Sequence, residues 1–250
     1  MHEKTALPLG VARSDVQTSG RLIVATLLRQ ALGFRDCPRQ AIDDLVSQGH
    51  VLVLGKGETL VRRGEPFDKL CFVIEGALEI SVSHLNGRRF LLAYLQPADV
   101  AGMISLWDHL PHPSDLTARK AGTRVLIVPG ANWRTLSLNH PSLAQALGTQ
   151  MAYRSRLLQE RVIVDSSMSL EMRLARELRL MSALSGSPPS RGSDHVTLRF
   201  SQADIGDLLG VGRPRVNLAI QQLRKEGLIE MGYATVSIVD PDGLAQRAGF

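Results

Sequence analysis

Residues 201–220 read SQADIGDLLGVGRPRVNLAI, which is the pattern of two short helices joined by a tight turn. Ser201 is placed to cap the first helix, and Asp204 suits the first turn of that helix. Gly206 would allow a second helix to approach closely, and Gly210 occurs where the chain must turn sharply with a positive φ. The pattern predicts a helix-turn-helix whose second helix spans about residues 213–226.

The second helix of this pair has one apolar face and one polar face. Its apolar residues recur at helical spacing and are expected to be buried: Val216, Ala219, Ile220 and Leu223. In the DNA major groove, arginine reads guanine, and asparagine or glutamine reads adenine. The predicted DNA-binding residues are Ser201, Gln202, Gly212, Arg213, Arg215, Asn217 and Gln221. The alternative is a solvated polar face on an ordinary helical hairpin.

Short strands flank the two helices. Residues 195–200 alternate in polarity before the motif, and residues 228–230 and 234–239 follow it as further strand-like segments. Residues 240–243 end the last of these strands, and a short final helix begins at Leu244. The strands predict a small β wing of the kind that lies along DNA phosphates.

Helices precede this region. Residues 170–184 carry an apolar face after a hinge and cap at residues 166–169, and residues 185–193 form a loop rich in serine, glycine and proline. A longer helix is predicted from about Pro141 to residue 164, with an apolar stripe of Leu143, Leu147, Met151 and Leu158. We expect the stripe to pair with a second copy as a coiled coil; the alternative is packing on the chain's own β domain.

The segment from residue 48 to about residue 131 changes to short β-type runs punctuated by glycines, which predicts a compact antiparallel sandwich or barrel. Gly64-Glu65-Pro66 and Asn86-Gly87 are predicted turns within it. Ahead of it, the first 20 residues are expected to be loose, and residues 21–47 to form one or two helices.

Composition narrows the class of protein. The formal net charge of +5 is compatible with a nucleic-acid partner. The isolated Cys37 and Cys71 give no zinc ribbon or all-cysteine cluster, and we expect two reduced thiols in a cytoplasmic protein. No apolar run is long enough to cross a bilayer, so no membrane partner is expected. The sequence contains no P-loop, dinucleotide-binding motif or metal-ligand spacing, so we expect neither an enzyme nor a metal site.

Three groups of residues, taken in order, resemble the Crp–Fnr (catabolite activator–like) family of bacterial regulators. GETL at 57–60, GE at 64–65 and FVIEG at 72–76 are similar to the opening of the family's cyclic-nucleotide-binding-type β-roll. PAD at 97–99 resembles its Pro-Gly-Asp turn, with Ala98 in place of glycine. GVGRPRVN at 210–217 and LRKEGLI at 223–229 resemble its helix-turn-helix.

The resemblance covers about residues 40–245 and implies a homodimer with an effector domain, a central dimer helix and a DNA head that reorients when the sensor is occupied. Double-stranded DNA and RNA polymerase are the implied partners. Arg213 falls where the family commonly places a base-reading arginine. Pro214 falls where many members have a glutamate able to accept from cytosine N4, so the half-site is expected to differ.

Members of that family that bind cyclic nucleotides share a phosphate-binding cassette of the form Gly-Glu…Arg-Ser/Thr-Ala. The resemblance places the effector pocket of this chain at Gly102, Met103, Ile104, Ser105 and Ser114. Met103 replaces the glutamate that accepts the ribose hydroxyl, Pro113 replaces the arginine, and Asp115 adds a negative charge. Losing a bidentate arginine–phosphate contact weakens binding. We therefore expect no control by ordinary cyclic AMP, unless Arg88 or Arg119 supplies the missing charge.

Other effectors stay open at this point. Possible haem ligands are His84, His109, His112 and His140. Met103, Leu106 and Trp107 could line an apolar pocket or simply pack in the core, and Cys71 could be a redox switch. Such histidines are more often hydrogen-bonded or solvated, and a buried strand thiol is usually inert. Haem is therefore not expected. An iron–sulfur cluster is not expected either, because the two cysteines are isolated, and the effector is left unassigned.

The sequence thus predicts an α+β chain with a β-roll (jelly roll), a long central dimerisation helix and a C-terminal winged helix-turn-helix. The expected division is residues 1–47 as a helical extension, 48–139 as the effector-type β-roll, 140–165 as the dimerisation helix and 166–250 as the DNA-binding domain. The predicted function is a sequence-specific transcription regulator that binds a palindromic operator as a homodimer. The alternatives are a ligand-responsive interaction module without DNA binding, and a haem- or redox-sensing regulator of the same fold.

Overall fold

The computed structural model describes residues 13–83, 89–162, 168–184, 196–198 and 200–249. The chain divides into two compact units, Met1–Ala152 and Tyr153–Phe250, and each is described by itself. Several segments discussed above lie outside the described residues: the Asn86-Gly87 turn, His84, Arg88, residues 166 and 167 of the expected hinge, the loop at 185–193, and residue 195 of the first wing strand.

The first unit is a β-roll with helices at both ends of its sequence. Its elements are α1 (Arg13–Leu28), a 3₁₀ turn (Phe34–Asp36), α2 (Arg39–Ser47), β1 (His50–Leu54), β2 (Thr59–Val61), β3 (Lys69–Glu75), β4 (Leu78–Ser83), β5 (Arg89–Leu95), β6 (Val100–Ala101), α3 (Met103–Asp108), β7 (Asp115–Ala118), β8 (Thr123–Pro129), α4 (Gly130–Asn139) and the start of α5 (Pro141–Val162). The strands form two four-stranded antiparallel sheets, β1-β8-β3-β6 (the inner sheet) and β2-β7-β4-β5 (the outer sheet).

The inner sheet is buried on both faces, which explains the unbroken apolar runs of its central strands. In β3, Cys71 and Val73 pack into the core between the two sheets, whereas Leu70, Phe72 and Ile74 pack against the helices. Successive residues of a strand point to opposite faces, so both sets must be apolar when both faces are covered. The unbroken apolar run of β3 therefore indicates that the inner sheet is a middle layer, between the helices and the outer sheet.

The expectation of a loose N-terminus was wrong for residues 13–20, because α1 begins at Arg13. The side-chain amide of Gln17 donates to the carbonyl of Val51 at 2.7 Å and accepts from the amide of Val51 at 2.7 Å. Val51 belongs to β1, an edge strand, and Gln17 satisfies the backbone groups that an edge leaves open. Val24 and Leu28 of α1 are buried in the same helical layer.

The helix α5 does not offer its whole apolar stripe to a partner. Leu143 and Leu147 are fully buried in the core of the first unit, which is the alternative considered for this helix. Met151 packs against the same core, while Leu158 is 57% exposed. The stripe is thus used at its N-terminal end by the chain itself, and only its later part is open for pairing with a second copy.

The second unit contains a helix-turn-helix and a three-stranded wing. After the end of α5, its elements are α6 (Leu170–Leu184), β9 (Val196–Leu198), α7 (Gln202–Leu209), α8 (Arg213–Lys225), β10 (Ile229–Gly232), β11 (Thr235–Ile238) and α9 (Pro241–Arg247). The wing sheet is antiparallel in the order β10-β11-β9. The apolar face predicted for α6 is buried through Leu174, Leu178 and Met181. No helix among the described residues has the length and apolarity needed to cross a bilayer.

The turn between β5 and β6 holds a non-glycine residue in a left-handed conformation. Ala98 has φ 79°, and it is pinned there because its amide donates to the carbonyl of Val73 at 3.0 Å while the amide of Val73 donates to Asp99 at 2.9 Å. A side chain with a Cβ is disfavoured at positive φ by about 1–2 kcal/mol, and glycine is not. The alanine therefore occupies a position at which glycine would fit better.

We expect Ala98→Gly to stabilise the first unit by about 0.5–1 kcal/mol, because the relief of left-handed strain exceeds the extra entropy of glycine in the unfolded chain. Both tryptophans, Trp107 and Trp133, lie in this unit, so urea unfolding followed by tryptophan fluorescence measures its free energy of unfolding. Ala101→Gly, in strand β6, is the control and should destabilise instead. A lower free energy of unfolding for Ala98→Gly would contradict the account of this turn.

Candidate nucleic-acid interface and effector pocket

The first helix of the motif, α7, begins at a complete capping box. The hydroxyl of Ser201 accepts from the amide of Asp204 at 3.2 Å, and the carboxylate of Asp204 accepts from the amide of Ser201 at 2.9 Å. Each side chain satisfies a backbone donor that the start of a helix leaves open. Ser201 caps α7 and Gln202 is its first residue, so both lie at the N-terminus of this helix. The Ser201 hydroxyl still has a proton to donate.

The turn between the helices depends on two glycines. Gly210 ends α7 in the left-handed conformation, with φ 65°, as expected from the sequence. The amide of Val211 then donates to the carbonyl of Gly206 at 3.0 Å. A Cβ added to Gly206 would lie 3.0 Å from the carbonyl oxygen of Val211, which is tighter than an ordinary van der Waals contact. These contacts hold the start of α8 close to the body of α7.

The helix α8 runs from Arg213 to Lys225, and its two faces differ sharply in burial. The residues predicted to be buried, namely Val216, Ala219, Ile220 and Leu223, are at most 1% exposed. Arg213, Arg215 and Gln221 are exposed, and Asn217 is half-buried at the edge of the exposed face. The exposed arginines lie in the first turn, where the positive end of the helix dipole also favours an anion.

One exposed residue of this face was not assigned from the sequence. Leu218 is 66% exposed, although leucine usually belongs to the buried side of such a helix. Pro214, Leu218 and Gln221 are spaced four and three residues apart, so they follow one line along α8. The same spacing is visible in the sequence, and it places Leu218 on the side of α8 opposite the buried residues.

The wing presents a turn of two residues. Strands β10 and β11 pair up to Gly232 and Thr235, leaving Tyr233 and Ala234 as the connection. Ala234 has φ 52°, and the side chain of Tyr233 is fully exposed at the tip. Because the pairing of the strands holds both ends of this turn, the aromatic ring projects from a fixed base.

The cassette that resembles a cyclic-nucleotide pocket is built on the short helix α3. Gly102 caps it with φ 87°, and a Cβ at this position would lie 2.1 Å from the carbonyl oxygen of Lys69, so only glycine fits. Met103 and Leu106 are buried in the helical core, whereas Ile104 is exposed. Met103 thus serves packing, which was the alternative to its lining an effector pocket. Ser105 is buried, and its hydroxyl has no hydrogen-bond partner among the described residues.

In the second half of the cassette, the carboxylate of Asp115 forms hydrogen bonds within the chain. The carboxylate of Asp115 accepts from the backbone amide of Arg63 at 2.8 Å and from the hydroxyl of Ser83 at 3.2 Å. Pro113 is exposed, and Ser114 is buried. The sequence predicted Asp115 only as a negative charge near the effector pocket. In the structure its carboxylate also accepts hydrogen bonds from Arg63 and Ser83.

Arg119 is also engaged elsewhere. Its guanidinium lies 3.7 Å from the buried carboxylate of Glu79 and stacks 4.5 Å from the ring centroid of Tyr94. Glu79 is paired with Tyr94 across the outer sheet, next to the pair Leu78–Leu95 that faces the core between the sheets. Since neighbours in a strand point to opposite faces, Glu79 and Tyr94 turn away from that core. The guanidinium of Arg119 is therefore already engaged by a carboxylate and an aromatic ring of the outer sheet.

The histidines considered as haem ligands occupy unrelated places. His112 is buried, donates from Nδ1 to the carbonyl of Ser114 at 2.6 Å, and lies 5.4 Å from the ring centroid of Phe67. His140 lies in a different contact, 2.8 Å from the carboxylate of Asp44, and His109 is exposed at the end of α3. Burial raises the pKa of the Cys71 thiol, which keeps it protonated and unreactive. Among the described residues, no three potential ligands cluster as a metal site.

Two protein-family models match the chain. The Crp-like helix-turn-helix domain matches residues 172–247, and the cyclic nucleotide-binding domain matches residues 51–140. Among curated proteins, the CRP-like cAMP-activated global transcriptional regulator of Mycobacterium tuberculosis is 27% identical over 222 residues, which is 89% of this chain and 98% of the relative. The cAMP-activated global transcriptional regulator Vfr of Pseudomonas aeruginosa is 23% identical over 200 residues, which is 79% of this chain and 92% of the relative.

Solved structures share the fold. FixK2 from Bradyrhizobium japonicum has a TM-score of 0.65 at 22% identity and covers 79% of this chain and 96% of its own. A putative cyclic nucleotide binding protein from Ruegeria pomeroyi has a TM-score of 0.61 at 20% identity and covers 92% of this chain and 99% of its own. Similarity at this level of identity shows the fold alone.

The burial of His112 has a consequence for stability. Desolvation lowers the pKa of this histidine below its ordinary value of about 6.5. Between the two values the unfolded chain binds more protons, so stability is lost as the pH falls below about 6.5. We expect the urea midpoint of the first unit to drop between pH 7.5 and pH 5.5, and to drop less in His112→Gln. His50→Gln, at an exposed position, should keep the wild-type pH dependence, and an unchanged slope in His112→Gln would contradict this account.

Proposed function

Because the chain belongs to the Crp–Fnr family of DNA-binding transcription regulators, we propose that it binds a palindromic operator as a homodimer, with one α8 in the major groove of each half-site. Proteins of this family regulate transcription and are not enzymes. The observation that carries the proposal is the exposure of Arg213, Arg215 and Gln221 on a helix whose opposite face is completely buried. A recognition helix needs that combination, since one face must hold the fold while the other reads base edges.

Each exposed side chain suits a distinct contact. Arg213, in the first turn of α8, is placed to read guanine with two hydrogen bonds, and Arg215 adds a second cation close to it. Asn217 and Gln221 suit adenine. Ser201, Gln202 and Gly212 lie at the N-termini of α7 and α8, where hydroxyl, amide and backbone donors suit phosphate oxygens. Pro214 offers no hydrogen bond, so the half-site should differ from that of members with glutamate there.

We further propose that the later part of α5 pairs with the same helix of a second copy. Leu158 is a large apolar side chain left 57% exposed on this helix, and a partner helix would cover it. A two-fold dimer also matches a palindromic operator, because each copy then meets an identical half-site. The division of the chain into a helical extension, β-roll, dimerisation helix and DNA-binding domain follows the same proposal. RNA polymerase would be the further partner, in the cytoplasm.

Ordinary cyclic AMP is not proposed as the effector, although relatives are described as cAMP-activated. Met103 is packed in the core and offers no acceptor of useful strength for a ribose hydroxyl. Pro113 has no charge, and Asp115 already binds the amide of Arg63. Arg119 is held between Glu79 and Tyr94. The cassette therefore lacks the acceptor and the cation with which the family's pocket holds a cyclic nucleotide, which favours DNA binding that does not require cyclic AMP.

The operator experiment is an affinity selection of random duplexes on the purified full-length protein, followed by titration of the enriched site by fluorescence anisotropy. We expect a palindrome, with affinity unchanged by cyclic AMP. Arg213→Ala should weaken binding by roughly 5- to 150-fold and relax the preference at one position of each half-site, since a bidentate base contact is worth about 1–3 kcal/mol. Arg39→Ala, an exposed arginine of α2, is the matched control and should bind like the wild type.

Three outcomes would speak against these proposals. If cyclic AMP were required for any binding, the interpretation of Met103, Pro113 and Asp115 would be wrong. If Arg213→Ala and Arg39→Ala bound equally well, α8 would not be the reading element. If no duplex were enriched with or without cyclic AMP, the interaction-module alternative would gain over operator binding.

The dimer proposal has its own test. Leu158→Glu places a charge where the proposed coiled coil needs an apolar side chain, so we expect the dimer to dissociate at least ten-fold more readily in sedimentation equilibrium. Gln159→Glu, at the exposed neighbouring position, introduces the same group and should leave the dimer intact. A wild-type protein that sediments as a monomer, or a Leu158→Glu variant as dimeric as Gln159→Glu, would exclude this interface.

A further inference from the structure

Leu218 lies at the centre of the exposed face of α8. Counting at 3.6 residues a turn, Pro214, Leu218, Gln221 and Lys225 follow one line along the helix. The four buried residues Val216, Ala219, Ile220 and Leu223 lie on the opposite side. Leu218 is 66% exposed, whereas Leu223 in the same helix is fully buried. An apolar side chain therefore stands in the middle of the surface that the proposed function turns toward DNA.

Single exposed leucines are common on protein surfaces, so the exposure of Leu218 alone is weak evidence for a function. The position of this one is informative for two reasons. Among the residues after α5 whose burial the structure describes, only Leu218 and Tyr233 are large apolar side chains left mostly exposed. Leu218 lies on α8 and Tyr233 at the wing tip. In addition, Leu218 is surrounded on α8 by Arg215 and Gln221, which have the chemistry of base readers.

Leucine has no donor or acceptor, which restricts what it can recognise in the major groove. Opposite an amino group, a carbonyl or a phosphate it would remove water without replacing the lost hydrogen bond. The one apolar group that bases display in this groove is the C5-methyl of thymine. We propose that Leu218 packs on a thymine methyl and selects a T·A pair at one position of each half-site; this rests on the proposed operator binding.

The geometry also indicates where that thymine lies. Leu218 is five positions after Arg213, which is about 7.5 Å along the helix. Stacked bases of one strand are about 3.4 Å apart. Because a recognition helix lies in the groove at an angle to the DNA axis, these two lengths do not convert directly into a count of base pairs. The thymine should occur in the same half-site, near the position at which Arg213→Ala relaxes the base preference.

The test replaces single thymines of the selected operator by uracil, which removes only the C5-methyl. We expect one position per half-site at which uracil weakens wild-type binding about 4-fold, the factor that corresponds to burying one CH₂-sized group. Leu218→Ala should bind the thymine and uracil duplexes equally. The side chain is exposed, so this variant should fold like the wild type. Leu138→Ala, which truncates an 81% exposed leucine of α4, is the matched control and should keep the 4-fold preference.

A second measurement uses the same methyl on another base. At the mapped position, cytosine should weaken wild-type binding, and 5-methylcytosine should recover part of the loss, whereas Leu218→Ala should not distinguish the two. If no thymine-to-uracil change affected the wild type, or if Leu218→Ala kept the wild-type ratio, the assignment of Leu218 would be overturned while operator binding stood. If the wild type bound no duplex at all, the proposed function would fail first, and this inference with it.

Discussion

The complete burial of one face of α8 is the constraint on which the rest of the DNA-binding unit depends. Val216, Ala219, Ile220 and Leu223 leave almost no surface exposed, so the helix cannot turn about its axis without burying charged or polar side chains. This fixes which residues face outward. Gly206 and Gly210 supply the close approach and the left-handed turn that let α7 hold that face. The surface that we propose to read DNA is therefore fixed by this packing, and the residues at the remaining positions set its chemistry.

The β-roll has the fold of the family, while charged side chains of its cassette region are engaged within the chain. Gly102 must stay glycine because the carbonyl of Lys69 leaves no room for a Cβ, and this preserves the start of α3. The side chains around it have other partners: Met103 the helical core, Asp115 the amide of Arg63, and Arg119 the carboxylate of Glu79. Glu79 is buried and Arg119 is partly exposed, so removing Arg119 would leave a buried carboxylate without this cation.

The sequence predicted the features whose causes are local. Ser201, Gly210 and Pro214 mark a cap, a left-handed turn and a first turn without needing any distant contact, and the structure has helices at those bounds. The start of α1 at Arg13 could not be foreseen in the same way, because Gln17 is held by Val51, 34 residues away. Nor could the stripe of α5 say whether its leucines would meet the chain's own core or a second copy. Asp115 was predicted only as a charge, since its backbone donor lies on another loop.

The pairing of β1 with β8 has a consequence for how the protein is made. In the inner sheet β1 lies at the edge and its only strand neighbour is β8, which begins about 70 residues later in the chain. A ribosome adds about 5–20 residues per second, so β1 waits roughly 4–14 s for its partner to emerge. During that interval its apolar side chains are available to other nascent chains. The helix α1, synthesised earlier and bonded to Val51 through Gln17, is an element that can shield this strand in the meantime.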